Sequence, residues 1–321
     1  MRLVLVFLTV LLWAAHGSTA EPIRIGVLQF GTVNWELDVI KRHDLAQKRG
    51  LEIEVVGLTN KTATAVALQS GDVDIIVTDW IWVSRQRAEG APYSFVPYST
   101  AAGAIMVPGA SKVADIAGLA GKRLGVAGGP LDKGWLLLQA LAAQDSGLDF
   151  AEEVEAVFGA APLLAQQALA GHLDGVLNFW HYAARLEAEG MRRLISVQDM
   201  MAQLGVEVPL PLIGYVFDEN WAGQREADAL TFFQASREAR QTLATSDSAW
   251  QALRPLMKAP NEATFLALRA GYRDGIPRQW GPAEQAAAEH LFAILAKIGG
   301  RELVGRSDHL QEGTFWPPFQ F

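Results

Sequence analysis

The stretch Ala67-Leu68-Gln69-Ser70-Gly71-Asp72-Val73-Asp74-Ile75-Ile76-Val77 changes its period midway. Its first half reads as the end of a helix, and Gly71 is the residue type that closes one in a left-handed turn. Val73 to Val77 then reads as a buried strand. Working outward, Thr62 to Ser70 is the helix itself, and Glu52 to Val56 is a strand before it. Val33 to Arg49 reads as a helix closed by Gly50, and Ile23 to Leu28 as a first strand. Strands alternating with helices imply a parallel sheet covered on both faces.

The pattern restarts further on. Lys122 to Ala127, Glu153 to Phe158 and Gly175 to Phe179 read as strands, with helices at Leu136–Gln144 and Leu163–Ala170. Ser94 to Val107 reads as extended chain leaving the first unit, and Leu212 to Phe217 as extended chain returning to it. Glu226 to Ile298 is mostly helical, with breaks near Pro260 and Pro277. The expected fold class is therefore α/β and two-lobed. Each lobe is a mostly parallel sheet flanked by helices, and two crossover segments join them. Lobe 1 is expected from residues 21–101 and 211–321, and lobe 2 from residues 102–210.

The first twenty residues set the expected compartment. Met1-Arg2 is a short positive region, Leu3 to Ala15 is apolar apart from Thr9, and Ser18-Thr19-Ala20 supplies small residues at a cleavage position. That order predicts a secretory signal peptide over residues 1–20. The alternative is an uncleaved anchor, but the apolar run is shorter than the roughly 20 residues of a membrane span. There is no cysteine, so a lipid-anchored N-terminus and a disulfide scaffold are both excluded. The formal charge of −8 becomes one unit more negative without Arg2. An acidic surface repels nucleic acid at long range, so no nucleic-acid partner is expected.

Four stretches resemble a known family. Gln47 to Ile53 resembles its "K-x-G-L-x-V" pattern, and Ala67 to Ile75 its "A-L-x-S-G-x-V-D-I". Ile116 to Val126 resembles "I-x-D-L-x-G-K-x-V-G-V", with Gly118 where the pattern has Asp, and Ala168 to Val176 resembles "A-L-x-x-G-x-V-D-A". Their order and spacing are similar to the periplasmic substrate-binding proteins of ABC transporters, in the branch of sulfonate, taurine, nitrate and thiamine-pyrimidine-precursor binders. The resemblance covers residues 23–217. It implies a type II periplasmic-binding-protein fold that closes on its ligand by a hinge. It also implies a soluble monomer in the periplasm, with a small-molecule ligand and an inner-membrane permease as partners.

Ligands of open parallel sheets bind beyond the carboxyl ends of the strands. The residues just after each expected strand are therefore the candidates. They are Phe30, Thr32, Asn34 and Trp35; Asn60 and Lys61; Asp79, Trp80 and Trp82; Gly128, Gly129, Lys133 and Trp135; and Asn178, Trp180 and His181. Five of the ten tryptophans fall in these loops, and indoles from two lobes can sandwich a flat ring. Gly128-Gly129 before a helix is either an anion nest or a geometric strand end. Lys61 and Lys133 either supply charge from opposite lobes or lie solvated. Asp79 either meets a cationic ligand or caps its own loop. His181 either contacts ligand or is structural.

Enzymatic readings lack their parts. There is no cysteine nucleophile, no G-x-S-x-G elbow, no H-E-x-x-H pair and no G-x-x-x-x-G-K loop. An enzymatic relative that makes the thiamine pyrimidine relies on a cysteine-rich stretch that this chain lacks. No cofactor and no metal are expected. The expectation is a binder of a flat aromatic, anionic molecule: a thiamine precursor, a flavin-like ring, an aromatic sulfonate, or a quinone such as pyrroloquinoline quinone. A sulfonate, taurine or nitrate binder and a periplasmic sensor are the alternatives.

Overall fold

The computed structural model describes residues 21–147 and 149–319. The expected signal segment, residues 1–20, lies outside them. The described residues form ten strands: β1 (Ile23–Leu28), β2 (Ile53–Leu58), β3 (Ile75–Asp79), β4 (Tyr93–Ser99), β5 (Gly103–Pro108), β6 (Arg123–Ala127), β7 (Glu155–Gly159), β8 (Gly175–Phe179), β9 (Met191–Ser196) and β10 (Ile213–Asp218). They make two five-stranded sheets, ordered β2-β1-β3-β10-β4 and β7-β6-β8-β5-β9. β1 pairs in parallel with β2 and β3, and β6 with β7 and β8. Each sheet takes one reversed strand: β10 runs antiparallel to β3 and β4, and β5 to β8 and β9. The reversed strands are the ones that carry the chain from lobe to lobe.

Burial marks the central strands. Ile23, Ile25, Val27, Ile75 and Ile76 are all buried, as strands covered by helices on both faces require. β2 sits at an edge and leaves Val55 exposed. Thirteen α-helices among the described residues surround the sheets: α1 (Val33–Arg42), α2 (Lys61–Ser70), α3 (Trp80–Ala88), α4 (Lys133–Ser146), α5 (Phe150–Glu153), α6 (Ala161–Leu169), α7 (Trp180–Ala188), α8 (Val197–Gln203), α9 (Glu219–Gln224), α10 (Glu226–Thr245), α11 (Asp247–Met257), α12 (Glu262–Asp274) and α13 (Pro282–Val304). α1 is shorter than its pattern suggests. Asp44 takes a left-handed φ of 52°, and the chain resumes only as a 3-10 turn at Gln47–Arg49. Gly71 closes α2 in the left-handed region at φ 74°, as its position implies.

Each sheet has a buried cluster of its own, and a third cluster spans both. The spanning cluster contains Trp80 and Phe95 from beside the first sheet, Leu136 and Leu141 of α4 beside the second, and Leu291 and Phe292 of α13. The C-terminal helices make this continuity: α13 packs on both α3 and α4, and α12 packs on α7. The indole N–H of Trp80 donates to the Pro211 carbonyl at 3.0 Å, fixing the returning chain.

Candidate functional site

The carboxyl ends of β1, β3 and β8 and the crossing segments between sheets enclose a cavity of about 140 Å³. Leu28, Thr32, Val33, Val77, Thr78, Asp79, Tyr98 and Ser99 line it from one side. Phe179, Trp180 and His181 line it from the other, with Ala101, Ala102 and Ile213 on the crossing strands. A smaller space of about 60 Å³ adjoins it, sharing Lys61, Asp79 and Phe179 and adding Asp132, Lys133 and Asn178. The position follows from topology. Parallel strands end at one edge of each sheet, and the crossovers bring those two edges face to face.

Charge is concentrated at one end. Asp79 caps α3 by accepting from the Trp82 N–H at 3.0 Å, and its other carboxylate oxygen accepts from Lys133 Nζ at 2.8 Å. This ion pair joins the end of β3 in one sheet to the start of α4 beside the other. Burial pushes the Asp79 carboxyl up, but Lys133 and Lys61 outweigh that, and it stands below the usual range. Lys61 makes no ion pair among the described residues; its ammonium lies 5.8 Å from the Phe179 ring centroid. Asp132 caps α4 by accepting from the Gly134 N–H at 3.0 Å. At the other end the ring of His181 is held neutral. Burial, with Arg185 adding to it, lowers its pKa to about 3.

The sixteen expected residues part into two groups. Thr32, Lys61, Asp79, Lys133, Asn178, Trp180 and His181 line the two spaces. Asn178 is committed to structure, since its amide donates to Ala161 O and accepts from the Phe179 N–H. The other nine lie elsewhere. Trp35, Trp80 and Trp135 are core residues, and Trp82 stacks on Tyr93. Trp135 packs on Phe150 and Phe158, and of the five tryptophans Trp180 lines the cavity. Asn34 donates to the carbonyls of Leu28 and Gly31, and Asn60 caps α2. Phe30 is 71% exposed beneath Lys258. Gly128 and Gly129 take φ of 95° and 90° and line neither space. The helix terminus they precede is already occupied by the Asp132 carboxylate, where an anion would otherwise sit.

Sequence reasoning missed the apolar wall. Tyr98, Ser99, Ala101, Ala102 and Ile213 lie on crossing segments, where only an extended pattern marks them. It also missed the buried carboxylate behind the wall. Glu36 accepts from Tyr215 and Ser236, and Arg240 stands 3.7 Å away. Among the described residues, no group of three His, Cys, Asp or Glu side chains is placed to hold a metal. No helix there is long and apolar enough to cross a membrane.

Two helix-flanked mixed sheets with a cavity between their strand ends define the two-lobed periplasmic-binding-protein-like fold. The profile described as "NMT1/THI5 like" matches residues 43–247, and the chain belongs to that family. Solved structures agree on the fold. The periplasmic aliphatic sulphonate-binding protein SsuA from Escherichia coli has a TM-score of 0.71 at 18% identity, covering 92% of this chain and 97% of that one. The alkanesulfonate-binding protein SsuA from Xanthomonas axonopodis pv. citri, bound to MOPS, has a TM-score of 0.69 at 20% identity, covering 92% and 98%. A ligand-binding component of an ABC-type import system from Staphylococcus aureus reaches 0.66 at 14% identity, covering 86% and 91%. A search of curated protein sequences finds no match.

Proposed function

We propose that the protein is the periplasmic solute-binding component of an ABC importer, a binder and not an enzyme, which encloses one small molecule between its lobes. The observation that carries this reading is the interlobe cavity, walled from both lobes and from the crossing strands. The likeness to sulfonate-binding and import-system proteins supports it. We read the ligand as one small ring with an anionic group. The ring lies against Trp180 and Phe179, and the anion faces Lys61, a lining cation with no ion pair among the described residues. A cavity of about 140 Å³ is well below the roughly 300–1,000 Å³ of a drug-sized site, which favours a single ring over a flavin or pyrroloquinoline quinone. A small sulfonate is the second reading. It is favoured by the withdrawal of four tryptophans from the cavity and by the fold neighbours.

Tryptophan fluorescence of residues 21–321, titrated with benzenesulfonate, an aminopyrimidine and taurine, tests this. Saturable quenching by a ring compound is expected, and Trp180→Ala should weaken it by about 1–3 kcal/mol, the usual worth of a stacked ring. Unchanged affinity in that variant removes the ring reading. A response to taurine alone replaces it with the second.

A further inference from the structure

Trp180 opens α7 in the second lobe, yet its indole is packed among residues of the first. It stands edge-on to Trp35 at 6.0 Å and 89°, and edge-on to Tyr272 at 6.4 Å. Beneath it is Gly271, in the last turn of α12. A Cβ at Gly271 would lie 3.0 Å from Trp180 Cε3 and 3.1 Å from Cζ3, tighter than ordinary contact. Gly271 has no positive φ, so its backbone does not call for glycine, and glycine costs stability inside a helix. The close approach of the indole is the remaining physical reason for it. The same indole also walls the cavity.

We infer that Gly271 is a positioning residue: it sets how deeply Trp180 seats in the first lobe, and through that how far the lobes close and how wide the cavity is. The seat is fixed from three sides. Trp35 is anchored by Trp250, Tyr272 by Trp250, and Gly271 by the helix that carries Tyr272. A side chain added at Gly271 therefore meets the indole first, and Trp180 with the start of α7 must shift away from α12. This rests on the ligand-binding reading for its consequence in affinity, but not for its geometry.

The test measures lobe separation without ligand. The chain has no cysteine, so spin labels at Glu54→Cys on β2 and Gln166→Cys on α6, both exposed, report one interlobe distance. Gly271→Ala and Gly271→Val should lengthen that distance in graded order. Trp180→Phe on the Gly271→Ala background should restore it, because the smaller ring vacates the contested volume. Alanine is the better helix former, so loss of folding does not mimic the result. Distances unchanged in both Gly271 variants overturn the inference. Titration with benzenesulfonate and naphthalene-2-sulfonate then reads the cavity, and Gly271→Ala should shift the two affinities unequally, by tenfold or more between them. Equal shifts overturn the link to cavity width. Should neither sulfonate bind the parent protein, the ring reading fails while the distances still decide the role of Gly271.

Discussion

Trp135 and Trp180 sit at matching places, each in the first turn of a helix that follows a strand, and only their surroundings separate them. Trp135 faces Phe150 and Phe158 inside one lobe; Trp180 reaches out of its lobe and borders the cavity. Sequence position is therefore a guide to the loop but not to the direction of the side chain. His181, next along α7, has a consequence for pH. Its folded pKa of about 3 lies below the ordinary 6.5, so the unfolded chain binds a proton in that interval and the folded chain does not. Stability rises with pH wherever the unfolded state holds more protons. The contribution is complete above about pH 6.5 and is lost as pH falls toward 3, by up to about 1 kcal/mol per unit, less whatever the cavity-facing part of the ring recovers from solvent. His181→Gln should flatten the fall in urea midpoint between pH 7 and pH 4.5 relative to the parent. Parallel curves would show that the ring takes up its proton in the fold.

At the scale of elements, α1, α10, α12 and β10 meet on one buried carboxylate. Glu36 of α1 accepts from Tyr215 of β10 at 2.7 Å, Ser236 of α10 at 2.5 Å and Tyr272 of α12 at 3.3 Å. Burial pushes its pKa up, while Arg240 and the three hydroxyls pull it down. Removing one partner of a buried charged pair typically costs about 3–5 kcal/mol, because the other charge stays behind. Glu36→Ala should lower the melting temperature accordingly, and Glu36→Gln should cost less because the amide oxygen still accepts. Equal melting temperatures for parent and Glu36→Ala would show that the network adds nothing. None of this was legible beforehand: Glu36 sits in an amphipathic helix pattern, and its partners follow it by 179 to 236 positions. What was legible was local. Gly50, Gly71 and Gly171 mark turns with left-handed φ, and the apolar runs at Ile23, Ile75 and Gly175 became strands. The helix from Val33 was read too long because nothing in Asp44 announces a positive φ.

At the scale of the whole molecule, the lobes are joined by more than their crossing strands. The Asp79–Lys133 pair spans the cleft, Trp180 is seated across it, and α13 lies against helices of both lobes. The apolar cluster that spans both lobes is expected to couple their unfolding into one cooperative step. Calorimetry should show a single transition whose calorimetric and van't Hoff enthalpies agree. Two resolved transitions would mean that α13 belongs thermodynamically to one lobe alone. The two-lobed plan itself was readable from the restart of the strand–helix alternation after residue 121, whereas the joining contacts were not. They are made by the helical tail, whose pattern says only that it is amphipathic.

The strand order of the first sheet also governs the sequence in which the chain can fold. β10 lies between β3 and β4, so that sheet stays open in its middle until residues 213–218 are available. The second sheet needs only residues 103–196, one unbroken segment. A chain emerging from its N-terminus thus completes the later lobe before the earlier one. Until then the earlier strands carry unpaired edges, the kind of surface that a folding helper or a translocation machine can hold.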